Sequence, residues 1–121
     1  MAVTGDLHAI VHRLNRENAR NAARATDAQR EAYSVACELA VKMGALDPTL
    51  RRVVLFGSTV PGQPYRVDSD IDLAVEGGHR AYLERLAADV PWPVDIIEMD
   101  ELRPGIRHRV QAEGVVLYEK K

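Results

Sequence analysis

The chain has few of the features that would each indicate a particular class of protein. It contains a single cysteine, Cys37, which excludes an internal disulfide and a zinc site built from several cysteines. We expect Cys37 to be a small buried residue in a reducing cytoplasm. No apolar run approaches the roughly 20 residues that a membrane-spanning helix needs, so we expect no membrane association.

An excess of charge and a targeting segment are also absent from the sequence. The formal net charge of −2 gives no overall case for nucleic-acid binding. Residues 1–14 lack the apolar core of a signal peptide, so we expect a cytoplasmic protein. The 121 residues contain no repeat and indicate one globular domain, so we expect no separate substrate domain.

The first third of the chain is rich in alanine and arginine and predicts helix. Apolar residues at positions 7, 10, 11 and 14 recur at helical spacing. Thr26, with Gln29 three residues later, fits a capping box, so we expect a second helix to start there. Gly44 and Pro48 are its expected stop signals. One helix over about residues 4–43 is the alternative, because nothing in this segment breaks it.

We divide the chain into a helical N-terminal extension, residues 1–30, and a core domain, residues 31–121. The extension is a candidate surface for self-association. In the core, β-branched runs alternate with Gly/Pro breaks and helical patterns. The class is therefore α+β (α/β), with flanking helices on a mixed sheet. The pattern predicts strands at 53–56, 70–75, 94–99 and 115–118, and helices at 80–90 and 104–113.

Two carboxylates, Asp70 and Asp72, are spaced as neighbours on one face of a predicted strand. Like charges held side by side repel one another unless a cation lies between them. Magnesium suits such a pair because it takes one or two carboxylates and then phosphate oxygens. The pair therefore predicts a magnesium site.

A third carboxylate, Asp95, lies in an apolar strand, where a charged residue must face away from the core or be paired. If this strand neighbours that of Asp72, three carboxylates converge. Three converging carboxylates suit a two-metal site for in-line phosphoryl transfer. Gly57 and Ser58 follow a buried strand, and such a turn can bind phosphate through backbone N–H groups and a hydroxyl.

These motifs together resemble a known family. The segments 55–58 (LFGS) and 69–73 (SDIDL) are similar to the signature of the minimal nucleotidyltransferases, within the DNA polymerase β-like superfamily, over roughly residues 33–118. The resemblance implies the nucleotidyltransferase fold and Mg²⁺-dependent transfer of a nucleotide. It also implies that Asp70, Asp72 and Asp95 are metal ligands and catalytic residues. Gly57 and Ser58 would bind the triphosphate.

The resemblance further implies a biological setting. Minimal members of this family are often antitoxins that neutralise a HEPN ribonuclease toxin by adenylylating it, typically on a tyrosine. We therefore expect ATP as the donor, two Mg²⁺ ions as cofactors and a HEPN-type toxin protein as the acceptor and partner.

The segment after Ser58 departs from the family pattern. The family has a basic segment there, whereas this chain has residues 59–62 (TVPG). Arg66 is a candidate to supply the missing positive charge. Two alternatives stay open, and this departure motivates the first of them. One is a binding module with this fold and weak catalysis, which acts by complex formation. The other is a nucleotidyltransferase that acts on a small molecule or RNA.

Overall fold

A computed structural model gives the architecture of the protein. It describes the backbone of residues 3–121 and the side chains of residues 10–16, 20 and 24–121. The elements follow one another as α1 (Val3–Leu46), β1 (Leu50–Phe56), a 3₁₀ turn (Gly57–Thr59), β2 (Ile71–Gly77), α2 (Arg80–Ala87), β3 (Val94–Glu98), a second 3₁₀ turn (Met99–Glu101), α3 (Pro104–Glu113) and β4 (Val115–Glu119). The expected class, a mixed sheet with flanking helices and a helical N-terminus, is confirmed.

The four strands form one sheet in the order β3-β2-β1-β4. Strand β1 is antiparallel to both β2 and β4, whereas β2 and β3 are parallel and are joined through α2. The register places Phe56 beside Asp72, and Asp72 beside Asp95. The end of β1 and the two aspartate-bearing strands therefore meet in one region of the sheet.

One face of the sheet packs on α1 and α2 and forms the larger core. The buried stripe of α1 has helical spacing and contains three alanines, whose small side chains let the helix approach the strands closely. Leu83 and Ala87 of α2 complete this layer. The buried α1 residues are Ala32, Ala36, Leu39, Ala40 and Met43, and the strand residues facing them include Val53, Leu55, Ile71, Leu73, Val75 and Ile96.

The opposite face is covered only in part, by α3 and the turn before it. Val54 and Ala74 of the sheet pack against Met99, Leu102 and Val110 there. Side chains alternate between faces along a strand, so Phe56, Asp72 and Asp95 belong to this second face, beside α3. The uncovered part of the face leaves room for a ligand.

Our preferred prediction of two N-terminal helices is wrong. Helix α1 continues without a break through Thr26. No glycine or proline occurs between Gly5 and Gly44, so continuing the helix avoids the cost of ending and restarting it. A Cβ on Gly44 would overlap the Tyr118 ring. Gly44 is therefore a contact position inside the helix, which ends two residues later.

Every described side chain before Ala25 is exposed. Ile10 is 44%, Val11 47% and Leu14 48% exposed, while the side chain of Leu7 lies outside the described residues. Cys37 is partly exposed and free, in contrast to the expected buried position. Within residues 3–121, none of the helices combines the length and apolar character required to cross a bilayer.

The end of α1 is joined to the turn after β2 by one buried carboxylate. Asp47 is 1% exposed and accepts hydrogen bonds from the Thr49 hydroxyl at 2.6 Å and the His79 backbone N–H at 2.7 Å. The Thr49 hydroxyl, with help from backbone N–H donors, lowers the pKa of Asp47 to about 2. Asp47 therefore connects three elements on the side of the fold away from the strand ends described next.

Candidate active site

The predicted carboxylates are brought together by the parallel pairing of β2 and β3. Asp72 lies in β2 directly beside Asp95 of β3. Asp70 lies one residue before β2 rather than within it, and is exposed like Asp95, whereas Asp72 is half-buried. Asp72 is thus the central carboxylate of the three.

Electrostatic interaction joins the three side chains. Desolvation, followed by the negative charges of Asp95 and Asp70, raises the pKa of Asp72 from 3.8 to about 6. A carboxyl group that resists ionisation in this way lacks a compensating positive charge. In the described part of the chain, no three His, Cys, Asp or Glu side chains are grouped closely enough to hold a metal ion as they stand.

The backbone of Gly57 lies against the central carboxylate. Gly57 has φ of +78°, and a Cβ there would be 2.5 Å from Oδ2 of Asp72. The left-handed backbone favours glycine, and a Cβ at this position would push the Asp72 carboxylate aside. The turn predicted to hold phosphate therefore touches the predicted metal ligand, and the two motifs form one site.

The turn after Gly57 is anchored by residues that sequence reasoning missed. Thr59 is fully buried and its hydroxyl donates to the backbone oxygen of Asp70 at 3.2 Å. On the other side, the side-chain amide of Gln29 contacts the backbone oxygen of Ser58 at 2.8 Å. The predicted capping box of Thr26 and Gln29 is wrong because Thr26 lies inside α1. No local signal marks either role, since both depend on contacts distant in sequence.

A cavity of about 390 Å³ opens beside Gly57, between the end of β1 and helix α3. Its volume falls in the range of small-molecule sites. Most of the cavity wall is apolar and is formed by Phe56, Val60, Ile106 and Val110. The polar side chains that line it are Gln63, Arg109 and Glu113.

Arg109 is the only cation that lines this cavity in the described part of the chain. It makes no ion pair or hydrogen bond with the other described residues, whereas its neighbour Arg107 donates to the backbone oxygens of Met99, Asp100 and Leu102. Arg66, the sequence candidate for a compensating charge, is exposed and does not line the cavity. Arg109 is therefore better placed than Arg66 to meet an anion.

Comparison with solved structures supports this architecture. A toxin–antitoxin structure with AMP-PNP is 26% identical, with a TM-score of 0.56 over 70% of this chain and 74% of that one. A mutant MntA–HpeT toxin–antitoxin structure is 23% identical, with a TM-score of 0.54 over 74% of each chain. A Sulfolobus solfataricus protein described as a nucleotidyltransferase is 24% identical, with a TM-score of 0.54 over 79% of this chain and 87% of that one.

Among proteins with curated functions, none matches the sequence significantly. The model of one family does match, over residues 42–121. This range contains Gly57, Ser58 and all three aspartates, and it is two thirds of the chain. Together with the mixed sheet and the paired aspartates, the match shows that the chain belongs to the polymerase β nucleotidyltransferase family.

Proposed function

We propose that this protein is a Mg²⁺-dependent nucleotidyltransferase that transfers AMP from ATP to a hydroxyl group of a partner protein. The observation that carries the proposal is the position of Asp72. Its carboxylate lies beside Asp95 on one side and against the Gly57 backbone on the other. A cation held by Asp72 would therefore lie within reach of a phosphate bound at Gly57.

The donor set fits magnesium, which takes carboxylate and phosphate oxygens. Desolvation, followed by the negative charges of Asp95 and Asp70, raises the pKa of Asp72, and a divalent cation bound there would neutralise that negative charge. Asp70 and Asp95 are exposed, so their side chains are free to rotate toward a shared ion. We propose that Asp70, Asp72 and Asp95 hold two Mg²⁺ ions, which when bound would stabilise charge on the reacting phosphate and the leaving group.

The chain's own residues then have distinct tasks. The backbone N–H groups at Gly57 and Ser58, with the Ser58 hydroxyl, bind triphosphate oxygens. The apolar cavity beside Gly57 takes the nucleoside, and Arg109 meets the phosphates or ribose at its edge. The acceptor oxygen attacks the α-phosphorus, its proton passes to Asp95, and the bond to pyrophosphate breaks.

The partner is proposed to be a HEPN-type toxin, modified on a tyrosine, with this protein as its antitoxin. Two structural neighbours were determined as toxin–antitoxin assemblies, one of them with AMP-PNP. In the mutant neighbour, two aspartates two residues apart are replaced by glutamate, which is the spacing of Asp70 and Asp72. The reaction would take place in the cytoplasm, where ATP is available.

The test is transfer of label from ATP to protein. The purified chain would be incubated with Mg²⁺, α-³²P-ATP and the product of the neighbouring gene. We expect label on that product, lost in the Asp70→Ala/Asp72→Ala variant and retained in a matched control, Asp68→Ala/Asp89→Ala. Both control residues are exposed and the change in charge is the same. Label on RNA or a small molecule instead would reassign the acceptor, and no label would refute transfer to protein.

A second candidate is a binding module that retains the fold with little catalysis. It is favoured by the exposed apolar residues of α1, Ile10, Val11 and Leu14, which suit a protein contact, and by the absence of a basic segment after Ser58. Under this alternative, Asp72→Ala would still neutralise the partner in cells. Under the enzyme proposal, the same variant would lose neutralisation while still binding the partner.

A further inference from the structure

The side-chain amide of Gln29 makes an unusual set of contacts for a residue in the long N-terminal helix. Its nitrogen lies 2.8 Å from the backbone oxygen of Ser58, 3.0 Å from that of Val60 and 2.8 Å from that of Gln63. An amide nitrogen has two hydrogens to donate, so three acceptors share them. One side chain thus fixes three carbonyl groups of the loop that follows β1.

Two of these three carbonyls immediately precede prolines, Pro61 and Pro64. A peptide bond to proline has no N–H group, and proline fixes its own φ. The loop is therefore stiff at both points, and within it the N–H of Val60 donates to the oxygen of Gly57 and the N–H of Gln63 to the oxygen of Val60. Gln29 supplies the hydrogen bonds that fix its position against α1.

The orientation of the Ser58 carbonyl also determines where the next N–H group points. In a trans peptide, the C=O and N–H groups point in opposite directions. Because the Ser58 carbonyl is directed toward Gln29, the N–H of Thr59 is directed away from α1. The hydroxyl of Thr59 in turn donates to the backbone oxygen of Asp70. The loop therefore lies between two fixed anchors, one on α1 and one beside the carboxylates.

We infer that Gln29 is a positioning residue, which holds the Gly57–Ser58 turn in register with Asp70 and Asp72 so that triphosphate and metal can be bound together. This inference rests on the proposed function. It extends the working site beyond residues 42–121, which match the family model, and into the segment that we had separated at residue 30 as an extension. The N-terminal helix then contributes to donor binding by holding the turn that contacts the triphosphate.

The test compares two substitutions at this position in the full-length chain. Gln29→Met keeps the length of the side chain but cannot donate, whereas Gln29→Lys keeps a donor group. Loss of hydrogen bonds of this kind corresponds to about a tenfold effect. We expect Gln29→Met to weaken Mg²⁺-ATP binding by about that factor, measured by titration calorimetry. Gln29→Lys should stay much closer to the wild-type affinity.

A control and two further measurements separate positioning from general stability. Gln111→Met, at an exposed position of α3, should bind Mg²⁺-ATP as the wild type does. Thermal unfolding of each variant shows how far the fold itself is affected. In the transfer assay, Gln29→Met should raise KM for ATP and leave kcat closer to the wild-type value.

The outcomes are distinguishable. If the wild type binds Mg²⁺-ATP and Gln29→Met binds it equally well, the role of Gln29 is refuted while the proposed function stands. A lower unfolding temperature for Gln29→Met with unchanged ATP affinity would show a structural role only, and would also refute it. If the wild type binds no Mg²⁺-ATP, both proposals fail. Weakened binding by Gln29→Met, restored by Gln29→Lys, supports the inference.

Discussion

Replacing Asp72 by asparagine should stabilise the metal-free protein while removing its activity. The pKa of Asp72 is raised from 3.8 to about 6 by desolvation and by Asp95 and Asp70, so its ionised form is unfavourable in the folded state. A full shift of that size would correspond to about 3 kcal/mol. Partial exposure and salt screening reduce this to roughly 1–2 kcal/mol, which corresponds to about 5 °C in unfolding temperature for a chain of this length.

The sign of the pH dependence follows from the direction of the shift. Well below pH 3.8 both the folded and the unfolded chain carry a protonated Asp72, and the group does not change the free energy of unfolding. As pH rises from about 4 to 6, the unfolded chain releases its proton first, so folding becomes less favourable. Asp72→Asn should therefore be more stable than the wild type above about pH 6 in EDTA, and the difference should disappear near pH 3–4.

Thermal unfolding in EDTA from pH 4 to pH 8 measures this difference. The matched control is Asp68→Asn, which makes the same change of charge at an exposed position and should have little effect. Adding Mg²⁺ and ATP should stabilise the wild type and leave Asp72→Asn unchanged. If Asp72→Asn is no more stable than the wild type at pH 7.5 without metal, the ionised Asp72 carboxylate does not destabilise the fold and our account of the site is wrong.

Three further predictions concern single positions. Gly57→Ala should abolish transfer and lower the free energy of unfolding by about 2 kcal/mol. The φ of +78° at this position is strained for alanine, and the added Cβ would contact Asp72. The transfer assay and thermal unfolding measure the two effects. Arg109→Ala should raise KM for ATP about tenfold with little change in unfolding temperature, whereas Arg103→Ala, at an exposed position at the start of α3, should have no effect on KM. The pKa of Asp47 is lowered to about 2, so its carboxylate stabilises the fold above about pH 4, and this stabilisation is lost as pH falls toward 2. Asp47→Asn should remove it. Acid unfolding curves of the wild type, Asp47→Asn and the control Asp89→Asn measure the difference.

The elements and the carboxylates were predictable because their signals are local. The alternation around Asp70–Val75 and the Gly/Pro breaks placed β2, β3 and β4 within two residues of their observed bounds, since period-two patterns reflect burial on one face. In contrast, β1 begins three residues before its predicted start, and α2 ends three residues before its predicted end. Helix 104–113 was predicted with its bounds as observed. The pairing of Asp72 with Asp95 required only that two strands consecutive in the sequence also be neighbours in the sheet. That condition is common in a sheet of this kind.

The parts that could not be predicted depend on contacts between distant residues. The amide of Gln29 meets a loop about thirty residues later in the sequence, and Arg109 reaches the cavity beside Gly57 only because α3 returns over that face. The capping pattern at Thr26 was overridden because a local cap contributes about 1 kcal/mol. The flanking alanine-rich sequence favours continuous helix throughout. Local sequence therefore pointed to the three aspartates and the Gly57–Ser58 turn, but not to the distant residues that contact this region.

The division at residue 30 can be tested by where truncation stops being tolerated. A chain starting at Arg24 loses only part of α1 whose described side chains are exposed, and it retains Gln29 and the buried α1 stripe. We expect it to fold and to bind Mg²⁺-ATP as the full chain does.

A chain starting at Lys42, where the family match begins, loses Leu39 and three buried alanines. Removing most of α1 exposes the part of this sheet face that α2 does not cover, at a cost of roughly 5 kcal/mol or more, comparable to the whole stability of a small domain. We therefore expect the chain that starts at Lys42 to show no cooperative thermal unfolding when it is followed by circular dichroism. If the shorter chain folds and binds ATP, the N-terminal helix is dispensable, and both the packing argument and the role of Gln29 are wrong.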